Sequence, residues 1–180
     1  MSARRYGMVV DTRKCVGCQA CVIACKEENR LQYDGFRCWV VSETRGRFPK
    51  LSEQIRSERC NHCANASCVA ACPTGASHYG PGGSVQVNAE KCTGCKACMV
   101  GCAYQARYVH DDGHIDKCSF CMHRVLRGEL PACVSICPTT SLHFGDLDDP
   151  RSEVSLLLSS RAFRVLQPEQ GTDCNVFFLE

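Results

Sequence analysis

Sixteen cysteines of this 180-residue chain fall into four groups of four, and any fold open to it must use them. The first group is Cys15, Cys18, Cys21 and Cys25; the third, Cys92, Cys95, Cys98 and Cys102, repeats its spacing 77 residues later. The second is Cys60, Cys63, Cys68 and Cys72, followed by Pro73, and the fourth is Cys118, Cys121, Cys133 and Cys137, followed by Pro138. Each group ends in C-x3-C. A fourfold internal recurrence of this kind points to repeated small units instead of one large core.

Eighteen cysteines in all, one residue in ten, is the level at which sulfur organises a fold. With 7 % aromatic residues, 14 glycines and 7 prolines, the chain is poor in core and rich in turns, so it needs staples. Disulfides require Cα atoms about 4.4–6.8 Å apart and gain most from closing long loops, which tight C-x2-C-x2-C runs do not do. Zinc ribbons use C-x2-C pairs, and Cys60/Cys63 with Cys118/Cys121 would suit one. A third cysteine three residues on, and a Cys-Pro ending, have no use there. A [4Fe-4S] cubane accounts for both. Its irons form a tetrahedron, and a C-x2-C-x2-C loop curls around three of them, with Gly17, Gly94 and Ala97 leaving room for close approach. In two-cluster ferredoxins the cysteine of C-x3-C-P ligates the other cluster. Four [4Fe-4S] clusters are therefore expected, with Cys25 serving the cluster of a partner group.

Only 19 residues, 73–91, separate the second group from the third, so these two are expected to form one two-cluster module, leaving the first and fourth to pair across it. Serial pairing, first with second and third with fourth, also satisfies the spacing. The nested reading gives an α+β fold of two ferredoxin-like modules, one inserted in the other. It has short helices, small antiparallel sheets and a C-terminal docking tail. The outer module is 1–55 plus 105–145, the inserted module 56–104 and the tail 146–180. Strands are expected over 5–11, 36–41, 85–87 and 106–110, a helix over 19–29, and extended ends at 163–166 and 175–180. A second helix should open at Asp149-Pro150, with the aspartate as cap, and run to about Arg161.

The formal charge of +2 counts every thiol as neutral. A cluster with its four thiolates carries about −2 when oxidised, so four of them bring the chain to about −6. The 21 lysines and arginines then offset buried cluster charge, and a nucleic-acid partner is not expected. The Arg4-Arg5 pair is followed by an apolar run of only Met8-Val9-Val10, and the longest run elsewhere is Leu156–Leu158. Neither an export signal nor a membrane span of about 20 residues is expected.

The quartets, read through "DTRKCVGCQACVIACKEEN", "CNHCANASCVAACPTGAS", "KCTGCKACMVGCAYQARYVH" and "KCSFCMHRVLRGELPACVSICPT", and then "FGDLDDP" and "PEQGT", resemble a known family. It is the four-cluster electron-transfer subunit of membrane-associated molybdopterin oxidoreductases, and the short tail looks most like the polysulfide, thiosulfate and tetrathionate reductase type. The resemblance implies four ligand sets: Cys15, Cys18, Cys21 and Cys137; Cys118, Cys121, Cys133 and Cys25; Cys60, Cys63, Cys68 and Cys102; and Cys92, Cys95, Cys98 and Cys72. It implies a wire running first, fourth, second, third group, from a molybdopterin catalytic subunit to an integral-membrane, quinone-interacting anchor. It also implies a peripheral position at the cytoplasmic membrane, on the periplasmic face by co-export with a signal-bearing partner, or else on the cytoplasmic face. Two departures, Ala103 in place of a proline after Cys102 and "NASC" (65–68) in place of "NPPC", remove no ligand.

Outside the quartets, Cys38 is expected to be a small buried residue and Cys174 a free thiol. His62 is expected to donate to a cluster sulfur and not to ligate. His123 and Arg124 either face a cluster or are solvated, and Asp146, Asp148 and Asp149 read as helix-capping residues. No nucleophile–base pair, phosphate loop or acid dyad stands out, so a relay without a substrate site of its own is expected. The rival readings are a free polyferredoxin, the same relay in a dimethyl sulfoxide, arsenate, formate or sulfite enzyme, and a zinc-stapled interaction module.

Overall fold

A computed structural model of the protein describes residues 4–180; Met1–Ala3, at the start of the stretch weighed above as a targeting signal, lie outside the described residues. The apolar run Met8-Val9-Val10 forms the middle of strand β1 (Tyr6–Asp11), and all three side chains are fully buried. Their alternation sets the layers. Met8 and Val10 face a core shared with Cys21, Cys25, Phe120, Cys133 and Phe178, whereas Val9 packs with Val154 and Leu179 on the opposite side.

Around β1 stand β8 (Leu142–Asp146), β10 (Val176–Leu179) and β9 (Phe163–Arg164), in the order β8-β1-β10-β9. β8 and β9 pair antiparallel to their neighbours, but β10 runs parallel to β1, with Met8 opposite Val176 and Val10 opposite Phe178. A sheet containing a parallel pair is a departure from the expected antiparallel sheets. It arises because the tail returns across the molecule instead of turning back in a hairpin. Segment 142–180 therefore contributes three of the four strands, and Val176, Phe178 and Leu179 are fully buried.

The strand expected over 36–41 is longer and begins later. β2 (Cys38–Arg47) pairs in register with β3 (Lys50–Arg59) from Cys38↔Arg59 to Arg47↔Lys50, and Phe36 lies outside it. The outer half of this hairpin carries few apolar residues; Arg56 bridges Glu43 and Glu58 instead, so the alternation that marks a half-buried strand is missing. Two further ribbons, β4 (Ser77–Tyr79) with β5 (Val85–Val87) and β6 (Tyr108–Val109) with β7 (Ile115–Asp116), flank the third cysteine group.

Helix α1 (Ala20–Asn29) lies where expected, but α6 (Glu153–Ser160) starts later than Asp149-Pro150 implied. Its cap is Ser152, whose Oγ accepts the Ser155 N–H. None of the three aspartates caps it. Asp149 Oδ1 accepts from Arg151 N, Asp146 Oδ1 accepts from Arg5 N and Asp148 N, and Asp148 pairs with Arg5. The remaining helices are single turns that carry cysteines or follow them: α2 (Ser67–Ala70), α3 (Ala97–Val100), α4 (Met122–Val125) and α5 (Ala132–Ser135).

Candidate metal centres

The cysteine repeat is also a repeat of backbone conformation. In the first loop Gly17 and Gln19 have φ of 70° and 64°; at the same places in the third loop, Gly94 and Lys96 have φ of 68° and 63°. Left-handed residues recur at His62 in the second loop and at Phe120 and Cys121 in the fourth. Interleaved left-handed residues turn successive N–H groups toward one side, the concave nest that suits an anionic centre. The Cys-Pro-Thr turns match as well. Cys72 Sγ accepts from Ser77 N at 3.3 Å, and Cys137 Sγ from Ser141 N at 3.3 Å.

Packing brings first to fourth and second to third. Helix α1, carrying Cys21 and Cys25, packs on α5, which carries Cys133, while α2 with Cys68 packs on α3 with Cys98. Asp11 N donates to Ser141 O at 2.7 Å, tying the start of the first loop to the turn after Cys137. Burial pushes up the thiols of Cys118, Cys121 and Cys133, the last to about 11, and the charge of Cys25 adds to that push in all three. Cys25 thus stands among the cysteines of the fourth group. In the same way, burial raises Cys102, with Cys60 and Cys68 adding to it, and burial raises Cys98, with Cys68 and Cys72 adding to it.

Two arginines that the sequence reading passed over are buried against these sulfurs. Arg59 is 1 % exposed and donates from Nη1 to Cys133 Sγ at 3.1 Å; Arg107 is 7 % exposed and donates from Nη2 to Cys68 Sγ at 2.9 Å. Burial works against each charge, but Cys133, Cys38, Cys118 and Cys21 around Arg59, and Cys68 and Cys98 around Arg107, hold both guanidiniums firmly protonated. Each arginine therefore stands between the groups of one pair. The only hint in the sequence is position, Arg59 adjoining Cys60 and Arg107 five residues after Cys102.

The donor set fits cubane clusters better than single ions. All eighteen thiols are unpaired. Around one zinc ion with Zn–S bonds of about 2.3 Å, tetrahedral sulfurs sit about 3.8 Å apart. Among the described residues no three cysteine sulfurs lie within 4.8 Å of one another. Arg59 Nε, Arg107 Nε and Nη1, and His62 Nε2 are buried donors with no protein partner, as expected where the acceptors are inorganic sulfides.

His62 is fully buried, its Nδ1 accepting from Val85 N at 3.0 Å, which leaves Nε2 to carry the proton. Burial holds the ring neutral, and it stacks on Phe120 of the fourth loop with centroids 3.6 Å apart. Its backbone N–H, and not its ring, meets Cys60 Sγ, at 3.5 Å. His123 and Arg124 both pair with Glu28 of α1 at 2.7 Å, and Arg124 lies near enough to Cys121 to feel its charge. Cys38 is buried beside Cys21 and Cys25, and its Sγ donates to Cys21 O at 3.5 Å. Cys174, near the terminus, is buried too, against Cys63 and 3.1 Å from the Tyr104 hydroxyl.

Comparison with known proteins gives a consistent result. The 4Fe-4S dicluster domain family matches residues 51–147, and a second family of the same description matches 14–76. The chain is 42 % identical over 183 residues to a polysulfide reductase chain of Wolinella succinogenes, covering 98 % of this chain and 95 % of the relative. It is 45 % identical over 161 residues to protein NrfC of Escherichia coli (87 % and 72 % covered) and 38 % identical over 180 residues to a tetrathionate reductase subunit of Salmonella typhimurium (97 % and 72 %).

Proposed function

This protein belongs to the iron-sulfur subunits of multi-subunit reductases, carrying four [4Fe-4S] clusters through which electrons are relayed, and from that premise we propose how its residues divide the task. The ligand sets are Cys15, Cys18, Cys21 and Cys137; Cys118, Cys121, Cys133 and Cys25; Cys60, Cys63, Cys68 and Cys102; and Cys92, Cys95, Cys98 and Cys72. The observation that carries this reading is Cys25 standing among Cys118, Cys121 and Cys133, about a hundred residues away in sequence. The outer module is 1–55 plus 105–145 and the inserted one 56–104, with β3 running across the first boundary so that Arg59 reaches back to the outer pair of groups. The tail 146–180 reaches over to the second loop, Ala64 N and Asn65 N donating to Asp173 O and Thr172 O.

Electrons pass in the order first, fourth, second, third. Exposure supports the two ends. Cys18 in the first group and Cys95 in the third are exposed, whereas six of the eight cysteines in the second and fourth groups are buried and the other two, Cys72 and Cys137, are half-buried. The middle junction is supported by His62 stacking on Phe120 and by Gln86 Nε2 donating to Ser119 O at 3.1 Å, both of which tie the inserted module to the fourth loop. Each cluster supplies reversible one-electron transfer. The protein's share is to fix spacing, exclude water and balance charge with Arg59 and Arg107.

The partners are a molybdopterin catalytic subunit at the first group and a quinone-linked membrane anchor at the third, in a sulfur-compound reductase on the periplasmic face; this chain itself has no catalytic site. The near end-to-end match with a polysulfide reductase chain supports the substrate class. No helix among the described residues is long and apolar enough to cross a membrane, which accords with a separate anchor subunit. Metal analysis of anaerobically purified protein is expected to give about 16 Fe per chain, with Zn at one ion per chain at most. About four Zn, without cluster absorption, would refute the cluster reading. Gel filtration of native extract is expected to find the protein in a complex, and a lone 20 kDa iron-protein peak would point instead to a free polyferredoxin.

A further inference from the structure

We propose that the turn joining β6 to β7 is a binding site for one divalent transition-metal ion, ligated by His110, Asp112 and His114 and distinct from the four cluster sites. The hairpin is closed by its backbone alone. His110 N donates to His114 O and Gly113 N to His110 O, each at 2.8 Å, with Gly113 left-handed at φ 90°. That closure sets the two histidines opposite each other, their rings stacked with centroids 4.5 Å apart. Asp112, at the tip, folds back so that one carboxylate oxygen meets both rings: His110 Nδ1 lies 3.1 Å from Oδ1, and His114 Nδ1 is in direct contact with it. One ligand atom from each of the three residues falls within 4.8 Å of the other two, the one such grouping among the described residues.

Two imidazoles and a carboxylate on one side of an ion are a borderline donor set, suited to zinc, iron, cobalt or nickel and unsuited to magnesium or calcium. Solvent reaches the site, the side chains of His110, Asp112 and His114 being 29, 60 and 16 % exposed. A groove of about 430 Å³, bounded by Glu90, Thr93, Asp112 and His114, leaves room for water or a further ligand on the open side. Three protein ligands with open positions is the layout of a site that exchanges ligands. None of the three side chains lies in the core, and none belongs to the cluster ligand sets.

The position gives the site a consequence. Ile115 N, one residue past His114, donates to Cys92 Sγ at 3.4 Å, so the hairpin backs directly onto the third cysteine group. A bound dication there adds positive charge beside the cluster of that group and raises its potential; this consequence rests on the cluster assignment, whereas the binding does not.

The test is equilibrium dialysis of the cluster-loaded protein, purified anaerobically, against Zn²⁺ and separately against Ni²⁺, with iron measured in the same samples. One ion per chain is expected, with iron unchanged. The milder Asp112→Asn variant should bind at least about 10-fold more weakly, and the His110→Ala/His114→Ala double variant, which loses two of the three ligands, at least about 100-fold more weakly, both at unchanged iron content. Uptake of equal affinity in both variants, or no uptake of either ion by the parent, would overturn the site. Low iron in the parent would count against the cluster reading and not against this one.

Discussion

Arg59 donates to Cys133 Sγ across 3.1 Å, and Arg107 stands in the same relation to Cys68 across 2.9 Å. A buried cation at a ligand sulfur favours the reduced, more negative state of the cluster that sulfur serves. Arg59→Gln is expected to lower the midpoint potential of the Cys133 cluster by roughly 60–120 mV, one to two tenfold steps of a one-electron equilibrium. Arg107→Gln should do the same to the Cys68 cluster. Redox titration followed by electron paramagnetic resonance separates the two, and unchanged potentials in both variants would remove the arginines from the tuning of the relay.

Cys25 and Cys21 lie on the same helix, yet their fates should differ on substitution. Cys25→Ser is expected to perturb the cluster of Cys118, Cys121 and Cys133, lowering the iron content from about 16 toward 15 or 12 as that cluster loses one iron or all four. The cluster of Cys15, Cys18 and Cys21 should keep its spectrum. If that cluster changes instead, cross-ligation between the first and fourth groups is wrong.

The four cysteine groups, the helix over 20–29 and the buried strand over 6–11 were legible in the sequence because each is written locally, in fixed spacing or a run of apolar residues. What escaped depends on distant partners. The outer half of the β2–β3 hairpin carries charged residues that meet only across the ribbon, as Glu43 meets Arg56 on the diagonal, so beyond Val41 the apolar signature fades. Arg59 and Arg107 read as surface charges until the fold surrounds them with sulfur. Asp149-Pro150 looked like a helix start, but the turn it makes delivers Ser152, a better-placed cap three residues on. The parallel pairing of β10 with β1 joins residues nearly the whole chain apart, which no local pattern encodes.

Cys38 and Cys174 each touch a cysteine assigned as a ligand, the first beside Cys21 and Cys25 and the second beside Cys63. The quartets are complete without them. Cys38→Ala and Cys174→Ala should therefore keep the full iron content, about 16 per chain. Cys38 is 2 % exposed, and its removal leaves a small cavity expected to cost about 1 kcal/mol. Iron analysis together with thermal bleaching checks both points; a loss of four irons in either variant would make that cysteine a ligand.

Arg37 joins three elements, pairing with Asp116 at 2.8 Å and donating from Nη1 to Asn29 Oδ1 at 2.6 Å and to Ser119 Oγ at 3.4 Å. Burial alone would raise the Asp116 carboxyl, but Arg37 and the Tyr108 hydroxyl bring it below the usual carboxylate range. A folded-state pKa below the unfolded value of about 3.9 gives stability that is present above that pH and lost as pH falls through the folded value. Arg37→Met leaves the Asp116 carboxylate buried with the Tyr108 hydroxyl but without its counter-charge, and is expected to cost about 3–5 kcal/mol at neutral pH. In the variant the sign reverses. Burial then holds the Asp116 pKa above its unfolded value, so its contribution is present in acid and disappears as pH rises through the new folded pKa. Denaturant unfolding from about pH 5 to pH 8 should show the variant's deficit widening with pH, and a deficit of constant size would mean that Arg37 acts through Asn29 and Ser119 and not through Asp116.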